Sequence, residues 1–154
     1  TGHDEDRIYS EKPEVYHALM ARLKRKMDNA RDWLPQPILR EENEKEVGII
    51  YYGSMENYIQ EIDDILEEEI GRKVSQCRVR SLPLSEVVTQ FIRDHETIIV
   101  LEINRDGQLF GIIRRELQSE LIPKVYSAAY SDGMPPRARQ YSELIKDVLK
   151  GVGK

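Results

Sequence analysis

The 154 residues suit a single domain with one core, and shares of 40% hydrophobic and 33% charged residues describe a globular protein with a well-solvated surface. A net charge of −5 argues against a general nucleic-acid binder, and no window approaches the ~18 consecutive apolar residues of a membrane span. The single cysteine, Cys77, excludes an internal disulfide framework and any four-cysteine zinc or iron–sulfur site; with no signal peptide in the polar start Thr1–Asp6, a reducing, cytoplasmic setting is expected.

In chain order, Ser10-Glu11-Lys12-Pro13 reads as a helix start. Val15, Tyr16, Leu19, Met20, Leu23, Met27, Ala30 and Leu34 then recur at helical spacing. The pattern predicts a helix over about 13–33, stopped by Pro35 and Pro37. Ile38-Leu39 reads as a short strand, followed by a charged turn through Glu41–Glu46. Val47–Tyr52 (VGIIYY) has the composition of a strand buried on both faces. It breaks at Gly53-Ser54. Met55, Tyr58, Ile59, Ile62, Ile65, Leu66 and Ile70 mark an amphipathic helix that Gly71 stops.

Val74–Arg80 alternates, Cys77 and Val79 against Arg78 and Arg80, and predicts a half-exposed strand. Pro83 and Ser85 introduce a short helix carrying Val88, Phe91 and Ile92. Thr97–Ile103 is the most apolar run and predicts a central strand. A helix through Leu109, Ile113 and Leu117 and a strand over Val125–Tyr130 follow. Asp132-Gly133 and Pro135-Pro136 make the next turn. A last helix carries Tyr141, Leu144, Ile145, Val148 and Leu149, with Gly151 and Gly153 fraying its end. Alternating strands and helices imply an α/β fold with a largely parallel sheet covered on both faces. Two parts are expected: residues 1–35, with the long amphipathic helix, and residues 36–154, with the sheet.

Ligands of open α/β sheets sit beyond the carboxyl ends of the strands, which singles out two loops. The first holds Gly53 and Ser54, between a strand and a helix N-terminus. Its N–H groups and the Ser54 hydroxyl suit an anion or an interface. The plainer reading makes Ser54 the N-cap and Gly53 the turn residue. With one glycine it is neither a P-loop nor a dinucleotide fingerprint. The second loop is Glu102, Asn104, Arg105, Asp106, Gly107 and Gln108, five polar side chains and a glycine at the end of the most apolar strand. It suits a ligand or a domain interface, although Asn and Asp beside Gly also make ordinary turns. A general acid–base role for Glu102 or Asp106 needs a shifted pKa and a substrate pocket, so structural hydrogen bonding is the expectation.

Elsewhere the plain readings prevail. His3, His17 and His95 have no metal-ligand spacing, and His95 follows a helix, where a cation is favoured. Cys77 reads as a small core residue. The acidic run Glu61, Asp63, Asp64, Glu67, Glu68, Glu69 reads as a solvated face. The basic run Arg22, Lys24, Arg25, Lys26 is either solvated or docked on an acidic partner. No catalytic or metal-ligating residue is predicted.

Four stretches, VGIIYYGS (47–54), RVRSLP (78–83), IVLEINRDGQ (99–108) and YSDGMP (130–135), resemble the C-terminal, transketolase C-terminal-like part of the alpha subunit of 2-oxoacid:ferredoxin oxidoreductases. The stretch from Thr1-Gly2-His3-Asp4-Glu5 through the first helix resembles the segment preceding that domain, so nearly the whole chain is covered. E-x-N-x-x-G-Q at Glu102–Gln108 is the most specific match. Y-G-S before a helix is shared with transketolases. The resemblance implies a three-layer α/β/α sandwich with a mixed five-stranded sheet, order 1-3-2-4-5. The first strand, near Ile38-Leu39, is expected to be antiparallel and to lie beside the Thr97–Ile103 strand. It implies an enzyme complex that converts a 2-oxoacid and coenzyme A to acyl-CoA. Thiamine diphosphate, Mg, an iron–sulfur cluster, a beta subunit, ferredoxin and the remaining alpha-subunit domains belong to that complex. This chain departs from the full enzyme: it has no G-D-G thiamine motif, no cysteine cluster and no pyrimidine-side domain. Lacking an initiator Met, it is expected to be a piece of a longer chain or a processed one. The domain itself is expected to bind no cofactor and to be inactive in isolation.

Two rival readings remain. One is the C-terminal domain of another thiamine enzyme, against which the N-R-D-G-Q loop argues. The other is a stand-alone doubly wound binding module such as a phosphorylation receiver, whose acidic pair is missing after Tyr52.

Overall fold

The backbone of the computed structural model is described for residues 2–152. It divides into two compact units, one up to Pro35 and one from Gln36 onward. Thr1, which opens the resemblance above, and Gly153, assigned to a fraying end, lie outside the described residues.

The first unit is a hairpin and a helix. Strands β1 (Gly2–His3) and β2 (Tyr9–Ser10) pair antiparallel, an element that sequence periodicity does not reveal because two-residue strands have none. The Asp4 carboxylate closes the turn, accepting the N–H groups of Asp6 at 3.0 Å and Ile8 at 2.9 Å. Helix α1 (Pro13–Ala30) starts with Pro in its first turn, as the sequence predicts. It ends three residues before the predicted 33. The N–H groups of Trp33 and Leu34 both turn back to the Ala30 carbonyl, and Pro35 disfavours a helical Leu34.

The second unit carries the sheet. Its strands are β3 (Ile38–Arg40), β4 (Val47–Tyr52), β5 (Ser75–Val79), β6 (Thr97–Glu102) and β7 (Val125–Ala129). The spatial order is β3-β5-β4-β6-β7, with β3 antiparallel and the rest parallel. Within this five-stranded sheet the order is 1-3-2-4-5, as the resemblance implied. The neighbour expected for the first strand is wrong. Ile38, Leu39 and Arg40 register with Arg78, Cys77 and Gln76 of β5, not with the Thr97 strand. Strand β6 has β4 on one side and β7 on the other, so it offers no free edge. The same pairing corrects the half-exposed reading of Val74–Arg80. With β3 outside it, β5 is an internal strand, and Ser75, Gln76, Cys77 and Val79 are all buried.

Helices α2 (Glu56–Ile70), α3 (Glu86–Asp94), α4 (Gln108–Glu116) and α5 (Ala138–Val152) cover both faces. Alternate residues of each strand point to opposite faces. Ile49, Tyr51, Ile99 and Leu101 join Ile59, Ile62 and Leu66 of α2 and Tyr141 and Ile145 of α5. Ile50, Cys77, Ile98 and Val100 join Val88, Phe91 and Ile92 of α3 and Ile113 of α4. The result is a three-layer α/β/α sandwich. Gly48 is needed where layers approach: a Cβ there would come within 2.8 Å of Ile98 Cδ1 and Phe91 Cε1. Helix α5 runs through Gly151 rather than fraying there. Among the described residues no helix is long and apolar enough to cross a membrane.

Candidate functional site

The chain leaves β4 for β5 on one side and later returns to β6 on the other. The carboxyl ends of β4 and β6 therefore flank a topological switch point, the place where open α/β sheets hold ligands. Both loops singled out from sequence lie there. Asn104 Nδ2 approaches the Tyr52 hydroxyl at 3.5 Å, bringing their stems together.

The loop after β6 is built around Glu102, which is fully buried. Its carboxylate accepts the N–H groups of Leu109 at 2.7 Å and Phe110 at 2.8 Å, and the Asn104 amide at 2.8 Å. An acid from the strand end thus caps the first turn of α4, where unpaired N–H groups and the helix dipole favour negative charge. Asn104 Oδ1 accepts the N–H groups of Asp106 at 3.1 Å and Gly107 at 2.7 Å. Gly107 takes φ +62, and a Cβ there would meet Ser127 Oγ at 3.1 Å. Arg105 and Asp106 are solvent-exposed and pair with each other, Nε to Oδ1 at 2.6 Å and Nη2 to Oδ2 at 3.0 Å. Gln108, the first residue of α4, is exposed.

The polar density of this loop is thus directed inward at Glu102 and Asn104 and outward at Arg105, Asp106 and Gln108. Glu102 is out of reach for a general base, because both oxygens are occupied and covered. The N-terminus of α4 already holds the protein's own carboxylate. The Tyr141 hydroxyl steadies the strand end, its single proton shared between the carbonyls of Glu102 at 2.9 Å and Tyr130 at 3.2 Å. Burial pushes its pKa up to about 12, helped by the Glu102 charge.

At the other loop Gly53 is the turn residue, with φ +58. Ser54 is exposed within a 3₁₀ turn, Gly53–Met55, and makes no side-chain capping bond. The N-cap reading is therefore corrected: the 3₁₀ turn runs directly into α2, and Met55 takes the cap position.

Between these loops and the end of β5 lies a cleft of about 610 Å³. One wall is Tyr52 and Gly53, another Arg78 to Leu82, and the third Gln108, Leu109 and Ile112. Arg78 is half-buried and approaches Glu56 at 3.7 Å. Glu56 also meets Arg40 at 3.4 Å and accepts the Tyr51 hydroxyl at 2.6 Å. Burial and the bond to Glu56 raise the Tyr51 pKa, keeping that phenol a donor. Arg80 is exposed, with no ion-pair partner among the described residues. The chemistry offered is an apolar floor with guanidinium, phenol and amide groups at its rim. Sequence reading missed the two arginines as site residues. Their signal was the alternation along β5, which placed them on one face without showing that the strand end opens onto Gln108.

Cys77 and His95 lie outside this site. Burial pushes the Cys77 thiol up to about 12 and holds the His95 imidazole below its usual range. Burial thus works against the helix-end cation its position suggests. The described residues hold no group of three or more His, Cys, Asp or Glu placed for a metal ion.

This architecture recurs in solved structures. Over 94% of this chain it superposes, at a TM-score of 0.75 and 26% identity, on a 2-oxoglutarate:ferredoxin oxidoreductase from Magnetococcus marinus with 2-oxoglutarate, coenzyme A and succinyl-CoA bound. The fold is transketolase C-terminal-like. A split-gene transketolase, an inactive beta4 tetramer, shares it at a TM-score of 0.60 and 21% identity over 75% of this chain. The chain spans 25% of the oxidoreductase chain and 42% of the transketolase chain. No family model matches the transketolase C-terminal-like chain, and no curated protein matches it.

Proposed function

We propose that the chain is a structural and assembly domain of a 2-oxoacid:ferredoxin oxidoreductase alpha subunit acting in the cytoplasm. The observation that carries this is the extent of the likeness. The match to the oxidoreductase covers 94% of the chain, whereas the transketolase match covers 75%. The E-x-N-x-x-G-Q loop supports the same branch.

In this reading the whole complex performs the oxidative decarboxylation of a 2-oxoacid to acyl-CoA. Thiamine diphosphate supplies the carbanion chemistry and iron–sulfur clusters carry the electrons. The residues here do not fit those groups. Glu102 gives its oxygens to α4, Asp106 pairs with Arg105, and Cys77 is buried. The domain supplies shape. Glu102 and Asn104 hold the loop rigid, and Arg105, Asp106 and Gln108 present it to the beta subunit or to the other alpha-subunit domains. The cleft beside Gln108 lies at the same edge, where the loop approaches coenzyme A in the complex.

The test uses the full reading frame co-expressed with its neighbouring gene. The expected result is 2-oxoacid- and CoA-dependent reduction of ferredoxin. Replacing Arg105 and Gln108 by Ala together should loosen subunit assembly or raise the KM for coenzyme A. Unchanged assembly with unchanged KM values would sink the role of the loop. A complex that keeps full activity after removal of residues 36–154 would sink the assembly role itself.

A further inference from the structure

Helix α1 presents a second surface, independent of which enzyme the domain serves. Tyr16, Met20, Leu23 and Met27 follow one another by four, three and four residues. That is the seam spacing of a coiled coil. All four are exposed, at 41%, 38%, 40% and 54%, and the helix buries no residue at all. The hairpin reaches the Tyr16 end of it: a Cβ at Gly2 would meet Leu19 Cδ2 at 3.1 Å and the Tyr16 ring at 3.8 Å. An 18-residue helix with a bare apolar stripe gains little stability alone, because helices draw it mainly from a packed face.

Charge selects what covers the stripe. Over residues 16–31, Arg22, Lys24, Arg25, Lys26 and Arg31 stand against one acid, Asp28. Lys24 and Lys26 flank the seam on opposite sides, the positions that decide partner choice. Pairing with a second copy would set basic flank against basic flank in either orientation. The rest of the chain does not share this sign, since the whole carries −5. The stripe is narrow for a membrane-lying helix. We propose that α1 docks, through Tyr16, Met20, Leu23 and Met27, against an amphipathic helix of another polypeptide whose seam is flanked by Glu and Asp.

The test titrates the full chain into two labelled helical peptides, followed by fluorescence anisotropy. Both carry Leu at the seam positions; one carries Glu and the other Lys at the flanks. The Glu peptide should bind more tightly by about tenfold or more, a difference of one decade in Kd. Reversing Lys24→Glu and Lys26→Glu together should turn the preference to the Lys peptide, a gain that loss of folding cannot imitate. Equal binding of both peptides, or of neither, overturns the proposal. So does a preference that survives charge reversal. Self-association in the ultracentrifuge that Leu23→Asp abolishes would make a second copy the occupant. Tighter binding to phosphatidylserine vesicles than to the Glu peptide would make it a membrane.

Discussion

The carboxylate of Glu102 accepts the N–H of Leu109 at 2.7 Å, seven residues along the chain, and so joins the end of β6 to the first turn of α4. Its other oxygen holds Phe110, and Asn104 donates to the same group. Replacing Glu102 by Ala leaves buried donors without acceptors. Bonds to a charged group contribute about 1.5–3 kcal/mol each, and unpaired buried donors cost a similar amount. Urea denaturation should show Glu102→Ala destabilised by about 3 kcal/mol or more. Glu102→Gln keeps one acceptor and should lose about half of that. A change below about 0.5 kcal/mol, the usual surface effect, would refute this capping role.

The two loop glycines differ in what a side chain would meet. Gly53 and Gly107 both have positive φ, so alanine strains the backbone at either. At Gly53 nothing lies within 4 Å of the added Cβ, whereas at Gly107 Ser127 Oγ stands at 3.1 Å. Gly53→Ala should cost about 1 kcal/mol, from backbone strain alone. Gly107→Ala should cost more, about 2–3 kcal/mol, as crowding adds to strain. Equal losses in thermal unfolding would show that Ser127 moves aside freely.

These loops show how far sequence reading reaches. The strands, the helices of the sheet unit and the position of both loops at strand carboxyl ends follow from apolar periodicity and turn residues. The resemblance supplied the sheet order. What periodicity lacks is pairing: nothing in Ile38–Arg40 says that Cys77 rather than Val100 lies beside it. Polar density at Glu102–Gln108 is legible, but its direction is not. Whether an acid faces solvent or the helix that follows depends on the angle between β6 and α4. The cleft needs three separate segments brought together, so the alternation that placed Arg78 and Arg80 on one face could not show that they line it. The β1–β2 hairpin rests on one Asp side chain and two short strands, below any pattern a window detects.

Alkaline stability follows from buried acids, Tyr141 and Cys77 as well as Tyr51. Tyr141 has its pKa raised from 10.0 to about 12, and Cys77 from 9.0 to about 12. A raised folded value means that the unfolded chain releases its protons first. Stability is fully present below pH 9 and is lost as pH climbs through about 12. Tm should fall steadily over that window. Tyr141→Phe removes one titrating group, so its decline should be shallower. The same variant should be less stable at pH 7, because the bonds to the Glu102 and Tyr130 carbonyls are gone.

On the acid side His95 has the opposite sign. It is 1% exposed, its Nδ1–H donates to the Phe91 carbonyl at 2.7 Å, and Nε2 is buried with no partner among the described residues. Protonation would add an N–H with no acceptor in the apolar layer beside Phe91, which is why burial lowers its pKa below 6.5. The contribution is present above pH 6.5, where the unfolded imidazole is also neutral. It is lost as pH falls through the lower folded value, because only the unfolded chain takes up the proton. Calorimetry from pH 7.5 down to 5 should therefore show Tm falling. His95→Gln keeps a donor for Phe91 but cannot take up a proton. That variant should be less stable at pH 7.5 and lose less Tm than the parent on acidification. Parallel Tm curves for the two proteins would show that His95 does not carry the acid sensitivity.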